Sequence, residues 1–233
     1  MPRFGIGASG EMVGTGKRAW ARWAAACVVA AAASSSASAA QPLDESLRSL
    51  GISSQAREAV HRALVRGDAQ GRPFAVVDKS QARLLVFAGD GRFLGSTAAL
   101  LGQATGDYSA PGIGRRLPGQ IAPHERTTPA GRYESEPGRN IHGEAIVWFD
   151  YESALAIHRL RPAAASERRP QRLASATPDD NRISLGCVVI DPRFFDTVVA
   201  PSLGRQRGVV YVLPERDGAD RRLPPPAGSY AGR

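Results

Sequence analysis

The chain has 233 residues, 42% of them hydrophobic, and a formal charge of +8 from 30 basic and 22 acidic side chains. That is enough chain for one well-buried core. The basic excess lies in scattered arginine pairs (115–116, 168–169 and 221–222), with no aromatic interleaving and no nucleic-acid motif, which argues against DNA or RNA as a partner.

Residues 1–39 read as a secretory signal. Lys17, Arg18 and Arg22 make a basic stretch, an apolar run from Trp23 to Ala33 follows, and Ala37-Ser38-Ala39 has the small-x-small form of a cleavage site. The competing readings are an uncleaved anchor and a true start at Met12. The apolar run is too short to span a bilayer, so no stable membrane span is expected after cleavage. Removing residues 1–39 leaves a charge near +5 and a single cysteine, Cys187. A lone thiol in an exported, oxidising setting is either a buried bystander, a partner-seeking group or a reactive one.

Residues 40–72 form a helical segment. Leu43, Leu47 and Leu50 share one face; Ala56, Ala59, Val60, Ala63 and Leu64 repeat the spacing after Gly51. From Phe74 the period changes. Strands are expected at 74–77, 83–87 and 93–101, the last two joined by an Asp90-Gly91 turn, so that an antiparallel meander opens a domain spanning 73–215. Residues 102–125 are rich in Gly, Pro and Arg and read as a surface excursion. Thr127-Thr128-Pro129-Ala130-Gly131 makes a turn. Strands follow at 145–149 and 154–160, then a polar loop at 161–180. One late helix carries Phe194, Phe195, Val198 and Val199, with Asp191 as N-cap and Pro192 at its first position. A last strand at 209–213 precedes a loose tail, 216–233. The class is mainly β.

The stretch that carries chemistry is Asn181 to Ile190. A glycine before Cys187 lets backbone approach closely, and three β-branched residues after it anchor the loop end on a strand. A thiol attacks as thiolate and needs a neighbouring base. The candidates are His158, on a strand, and His142, in a loop before one; rigid placement favours His158. Backbone N–H groups of Leu185, Gly186 and Cys187 are the natural donors for an oxyanion. Ser184 either donates as well or stabilises the turn, and Arg182 is either solvated or holds a substrate carboxylate. The histidines at 61, 124, 142 and 158 show no HExxH spacing and one cysteine remains, so no metal site is expected.

The Thr-Pro-x-Gly turn, the strand histidine and Ser184-Leu185-Gly186-Cys187 together resemble the YkuD-type L,D-transpeptidases over residues 73–214. The resemblance implies a β-sandwich-like catalytic domain. It also implies a cysteine acyl-enzyme formed on the tetrapeptide stems of peptidoglycan, His158 as base and then acid, a periplasmic or cell-envelope location and no cofactor. Two positions depart from the family pattern: Leu185 stands where His or Tyr is frequent, and Val189 where Arg is frequent. The Cys–His pair is equally compatible with a hydrolase that cuts cross-links. A third reading is a non-catalytic wall-binding domain. The sequence carries no signal for the oligomeric state.

Overall fold

The computed structural model describes residues 51–215 together with Glu45 and residues 47–49. The expected signal at 1–39, most of the first helical stretch and the tail at 216–233 lie outside the described residues. Helix α1 spans Ser54–Leu64; the Ser53 hydroxyl caps it by accepting from the Ala56 N–H at 3.1 Å. Its apolar stripe, Ala56, Ala59, Val60 and Ala63, is buried.

Nine strands follow among the described residues: β1 Phe74–Asp78, β2 Arg83–Phe87, β3 Phe93–Gly102, β4 Gly131–Arg139, β5 Ala145–Asp150, β6 Leu155–Arg159, β7 Arg182–Ser184, β8 Val188–Ile190 and β9 Gly208–Val212. They join in the order β2-β1-β9-β4-β5-β6-β8-β3, and β3 pairs back onto β2, which closes a mixed barrel of eight strands; β7 adds to β3 outside the ring. The expected sandwich is therefore corrected to a closed barrel. The physical reason is β3. Its first part pairs with β2 through Phe93–Ala98, and its next residues, Ala99 and Leu100, pair with β8. One long strand thus serves as the edge of both halves and leaves no open seam between them.

The interior and exterior faces explain the apolar runs. Ala75, Val77, Leu84, Val86, Val147, Ile157, Val188, Ile190, Val210 and Val212 belong to the core that also holds Phe195, Val199 and Leu203. Phe74, Val76, Leu85, Phe87, Val209 and Tyr211 point the other way, onto Ala56, Ala59, Val60 and Ala63 of α1. β1, β2 and β9 are covered on both sides, so they read as continuous rather than alternating hydrophobic runs. The helical segment at 51–66 is thus part of the domain's packing.

Among the described residues two further short α-helices occur. α2, Arg169–Leu173, lies in the 161–180 loop, where no helix was expected, and packs against β3. α3, Pro192–Phe194, is capped by the Asp191 carboxylate, which accepts from the Phe194 N–H at 3.0 Å, and it passes into a π-helical turn at Phe195–Val199. Among the described residues no helix is long and apolar enough to cross a membrane.

Candidate active site

Cys187 sits between β7 and β8, in a four-residue bend closed by Ser184. The Ser184 hydroxyl donates to the Cys187 carbonyl at 2.7 Å and accepts from the Gly186 N–H at 3.0 Å. Ser184 is buried, and both contacts hold the bend. One of the three backbone donors considered above is therefore already taken, because the Gly186 N–H points at Ser184.

A second clamp comes from the Thr127-Thr128 turn. The fully buried Thr128 hydroxyl donates to the Gly186 carbonyl at 2.9 Å and accepts from the Gly102 N–H at 2.9 Å. Thr128 is itself held by Lys79, whose ammonium donates to the Thr128 carbonyl at 2.9 Å and to the Gly106 carbonyl at 2.7 Å. The buried Lys79 charge is balanced by Asp107 at 2.8 Å and Glu215 at 3.2 Å. A chain of hydrogen bonds thus runs from β1's end through the turn to the residue before the sulfur. Gly186 has φ +132° and passes so close to the turn that a Cβ there would lie 2.5 Å from the Thr127 carbonyl oxygen. Close approach and a positive φ both demand glycine here.

His158 lies on β6, which runs parallel to β8 with His158 opposite Val189 and Ile157 opposite Val188. Ile157 and Val188 face the barrel core. Alternation puts His158 and Val189 on the outer face, whereas Cys187 lies just before β8 and packs against the same core as Ile157 and Val188. The His158 Nδ1 lies 2.8 Å from the Arg159 carbonyl. A carbonyl only accepts, so this bond assigns the proton to Nδ1 and leaves the Nε2 lone pair open. Arg159 is pinned in turn. Its guanidinium donates to Asp196 (Nε at 2.8 Å), reaches the Ala145 carbonyl at 3.0 Å and lies 4.2 Å from the Phe195 ring centroid. Arg159 was not singled out from the sequence; its place after a strand histidine was the available signal.

The thiol is half-buried. Its hydrogen bond goes to the Ala154 carbonyl at 3.8 Å, and no Sγ–imidazole hydrogen bond forms among the described residues. Ala154 is in the left-handed region, at φ +57°. Burial pushes the Cys187 thiol up, against the pull of the Ala156 backbone and the Arg161 charge. Burial pushes the His158 imidazole down, opposed by the Arg159 carbonyl and assisted by Arg161 and Arg169. Both directions favour a resting pair of neutral thiol and neutral imidazole over a thiolate–imidazolium pair. Iodoacetamide labelling of Cys187, followed by peptide mass mapping, is therefore expected to be slow near neutral pH and to keep rising beyond the ordinary thiol range. A plateau already reached near neutrality would contradict this resting state.

The other named residues fall elsewhere. His142 is exposed, in the turn between β4 and β5, where its N–H donates to the Asn140 side chain at 2.8 Å. Arg182 makes a two-pronged ion pair with Glu215, at 2.7 and 3.1 Å, and also reaches the Lys79 carbonyl. Its guanidinium is committed within the Lys79 cluster, so the substrate-carboxylate role considered for it has no free fork to use. Leu185 is half-buried, and Val189 is sealed at 1% exposure. A cation at position 189 would have no route to solvent, which accounts for an apolar residue there. Among the described residues no cluster of three or more His, Cys, Asp or Glu is placed to hold a metal ion.

No family model and no curated protein matches the chain. Among solved structures, LD transpeptidase LdtMt1 in complex with imipenem aligns at 17% identity and a TM-score of 0.34, over 60% of this chain and 58% of its own. The chain thus spans little more than half of that protein, and a likeness at this TM-score carries no conclusion about activity.

Proposed function

We propose that this protein is an exported cysteine acyltransferase of the L,D-transpeptidase type, acting on the stem peptides of peptidoglycan. The observation that supports the reading best is the β6–β8 register, which sets His158 opposite Val189, two positions after Cys187, with the imidazole tautomer set by the Arg159 carbonyl. The Ser184-Leu185-Gly186-Cys187 resemblance adds the substrate class.

In this reading the thiol leaves Ala154 and passes its proton to His158 Nε2. The sulfur attacks the carbonyl at the L-centre of diaminopimelate in a tetrapeptide stem. The oxyanion is met by the Cys187 N–H, the donor nearest the sulfur, and by that of Leu185, since the Gly186 N–H is engaged. The imidazolium then gives its proton to the departing D-Ala amine, leaving a thioester. The side-chain amine of a second stem attacks the thioester and loses a proton to His158; the thiolate leaves and takes that proton back. A neutral imidazole at rest suits this sequence, because the base must be free when the thiol still holds its proton.

His158→Ala is expected to stop acylation, by roughly two to four orders of magnitude, whereas His142→Ala largely spares it. Rates of D-Ala release from a tetrapeptide donor check this, and the reverse ranking would show that the base is His142. The reaction type is tested by incubating the protein with disaccharide-tetrapeptide muropeptides. New cross-linked dimers are expected. Loss of existing cross-links without new ones would make the enzyme a hydrolase.

A further inference from the structure

β6 ends at Arg159, one residue after the candidate base, and leads into the 161–180 loop. Strand pairing continues one residue past β6, with the Leu160 N–H donating to the Ile190 carbonyl at 2.7 Å. The loop is then folded on itself. Arg172 donates to the Glu167 carbonyl at 3.0 Å and to the Asp180 carbonyl at 2.9 Å, and α2 packs on β3. Between its limbs is an open cavity of about 430 Å³, lined among others by Arg161, Pro162, Arg168, Arg169 and Pro170. That is within the usual size range for a small-ligand site.

The charges around this cavity do not balance. Arg161 pairs with Glu144 at 3.3 Å, where 40% of its side chain remains exposed, and Arg169 pairs with Glu167. Arg168 has no acidic partner among the described residues, although it is exposed and held in the left-handed region at φ +50°. Three arginines line the cavity, and two of them pair with a carboxylate outside its lining. A planar guanidinium fork matches a carboxylate in a two-bond geometry, so an organic acid is the natural guest.

We infer that the Arg161–Arg168–Arg169 cavity is a subsite for a carboxylate of the donor stem peptide, seating the donor beside His158 and Cys187. The inference rests on the acyl-transfer reading for its ligand. It also gives Val189 a context: β8 carries no cation, and the loop supplies cations instead. The electrostatics agree with this placement, since the Arg161 charge acts on both Cys187 and His158, and the Arg169 charge on His158. A carboxylate seated among the arginines screens them. The imidazole then holds a proton more readily once the donor is bound.

Two carboxylates of the tetrapeptide stem lie near its reacting end: that of the terminal D-Ala and that of the diaminopimelate D-centre. Affinities of the free tetrapeptide and of two analogues, each with one of these carboxylates amidated, are measured by calorimetry on the full chain carrying Cys187→Ala. One amide is expected to bind about tenfold more weakly, which identifies the seated carboxylate. Adding Arg168→Gln, or Arg161→Gln with Arg168→Gln, should weaken the free peptide comparably and leave that amide unchanged. Equal affinity of all three peptides, no measurable binding of any, or arginine effects that persist in full on both amides would overturn the subsite. Melting temperatures confirm that the variants fold, and R168Q leaves every ion pair in place. Acyl transfer by the unmutated protein is assayed in parallel. Carboxylate-dependent binding without transfer keeps the subsite and sinks the enzyme; transfer with carboxylate-blind binding does the reverse.

Discussion

Cys187→Ala is expected to abolish acyl transfer, by about three orders of magnitude or more, while moving the melting temperature by no more than about 3 °C. The two halves of this expectation have separate causes. Cys187 is only partly buried, and the hydrogen bond from its sulfur to the Ala154 carbonyl is long at 3.8 Å. Alanine keeps the backbone carbonyl that Ser184 holds, and it keeps the N–H proposed to meet the oxyanion, so the bend 184–187 survives. Removing a small, partly exposed thiol costs about 1 kcal/mol or less. The chemistry, however, has no other sulfur to use within the described residues. A variant that melts normally and transfers acyl groups at the original rate would remove Cys187 from the mechanism.

Gly186→Ala, one residue earlier, is expected to do the opposite kind of damage. The new Cβ would meet the Thr127 carbonyl oxygen at 2.5 Å and the Leu155 side chain at 2.8 Å, on a backbone with φ +132°. Neither neighbour yields easily. Thr127 is buried and its hydroxyl donates to the Tyr108 carbonyl at 2.6 Å; Leu155 belongs to the barrel core. Backbone strain and overpacking together are worth about 4 kcal/mol, or roughly 10 °C in melting temperature for a domain of this size. Activity falls with it, because the bend cannot relax without moving the Thr128–Gly186 bond and turning the Cys187 N–H. Thermal denaturation followed by circular dichroism checks this. A shift under about 2 °C would mean that the bend is looser than the hydrogen bonds imply.

These two expectations also mark how far the chain could be read before its fold was known. Gly186 and Cys187 stood out locally, because a glycine before a cysteine and a β-branched run after it are sequence neighbours. Strand positions were legible for the same reason wherever apolar runs were unbroken, as in β1, β2, β5 and β9. β4 was not. Pro137 and Gly138 interrupt it, yet both are accommodated: β4 pairs with β9 through Gly131–Ser135 and with β5 through Glu136–Arg139, and Gly138 leaves room for the Trp148 ring. Barrel closure was equally hidden. It depends on β3 meeting two partners far apart in sequence, which no local pattern encodes.

The site shows the same divide. The strand that carries His158 was legible, but not its parallel register against β8, which sets His158 opposite Val189, two positions after Cys187. Ser184 could be read as either a donor or a turn hydroxyl; its contacts are those of the turn. Arg182 looked free because Glu215, its partner, lies 33 positions on. Arg161 and Arg168 sat in a Pro- and Arg-rich stretch that reads as a loop over the substrate, and their common cavity depends on how that loop folds back. Charge pairing and close backbone approach are decided by the tertiary fold, and a single sequence does not carry them.

The claim on which the rest depends is that Cys187 forms a covalent acyl bond. A carbapenem is a strained acyl donor, and its ring opens on an activated nucleophile without needing an acceptor stem. The direct measurement is the intact mass of the protein after incubation with a carbapenem, with the modified peptide then located. The account predicts one adduct of the full carbapenem mass, on Cys187, absent in Cys187→Ala and strongly slowed in His158→Ala. An unmodified Cys187 in folded protein, or an adduct that survives the Cys187→Ala change, would contradict it.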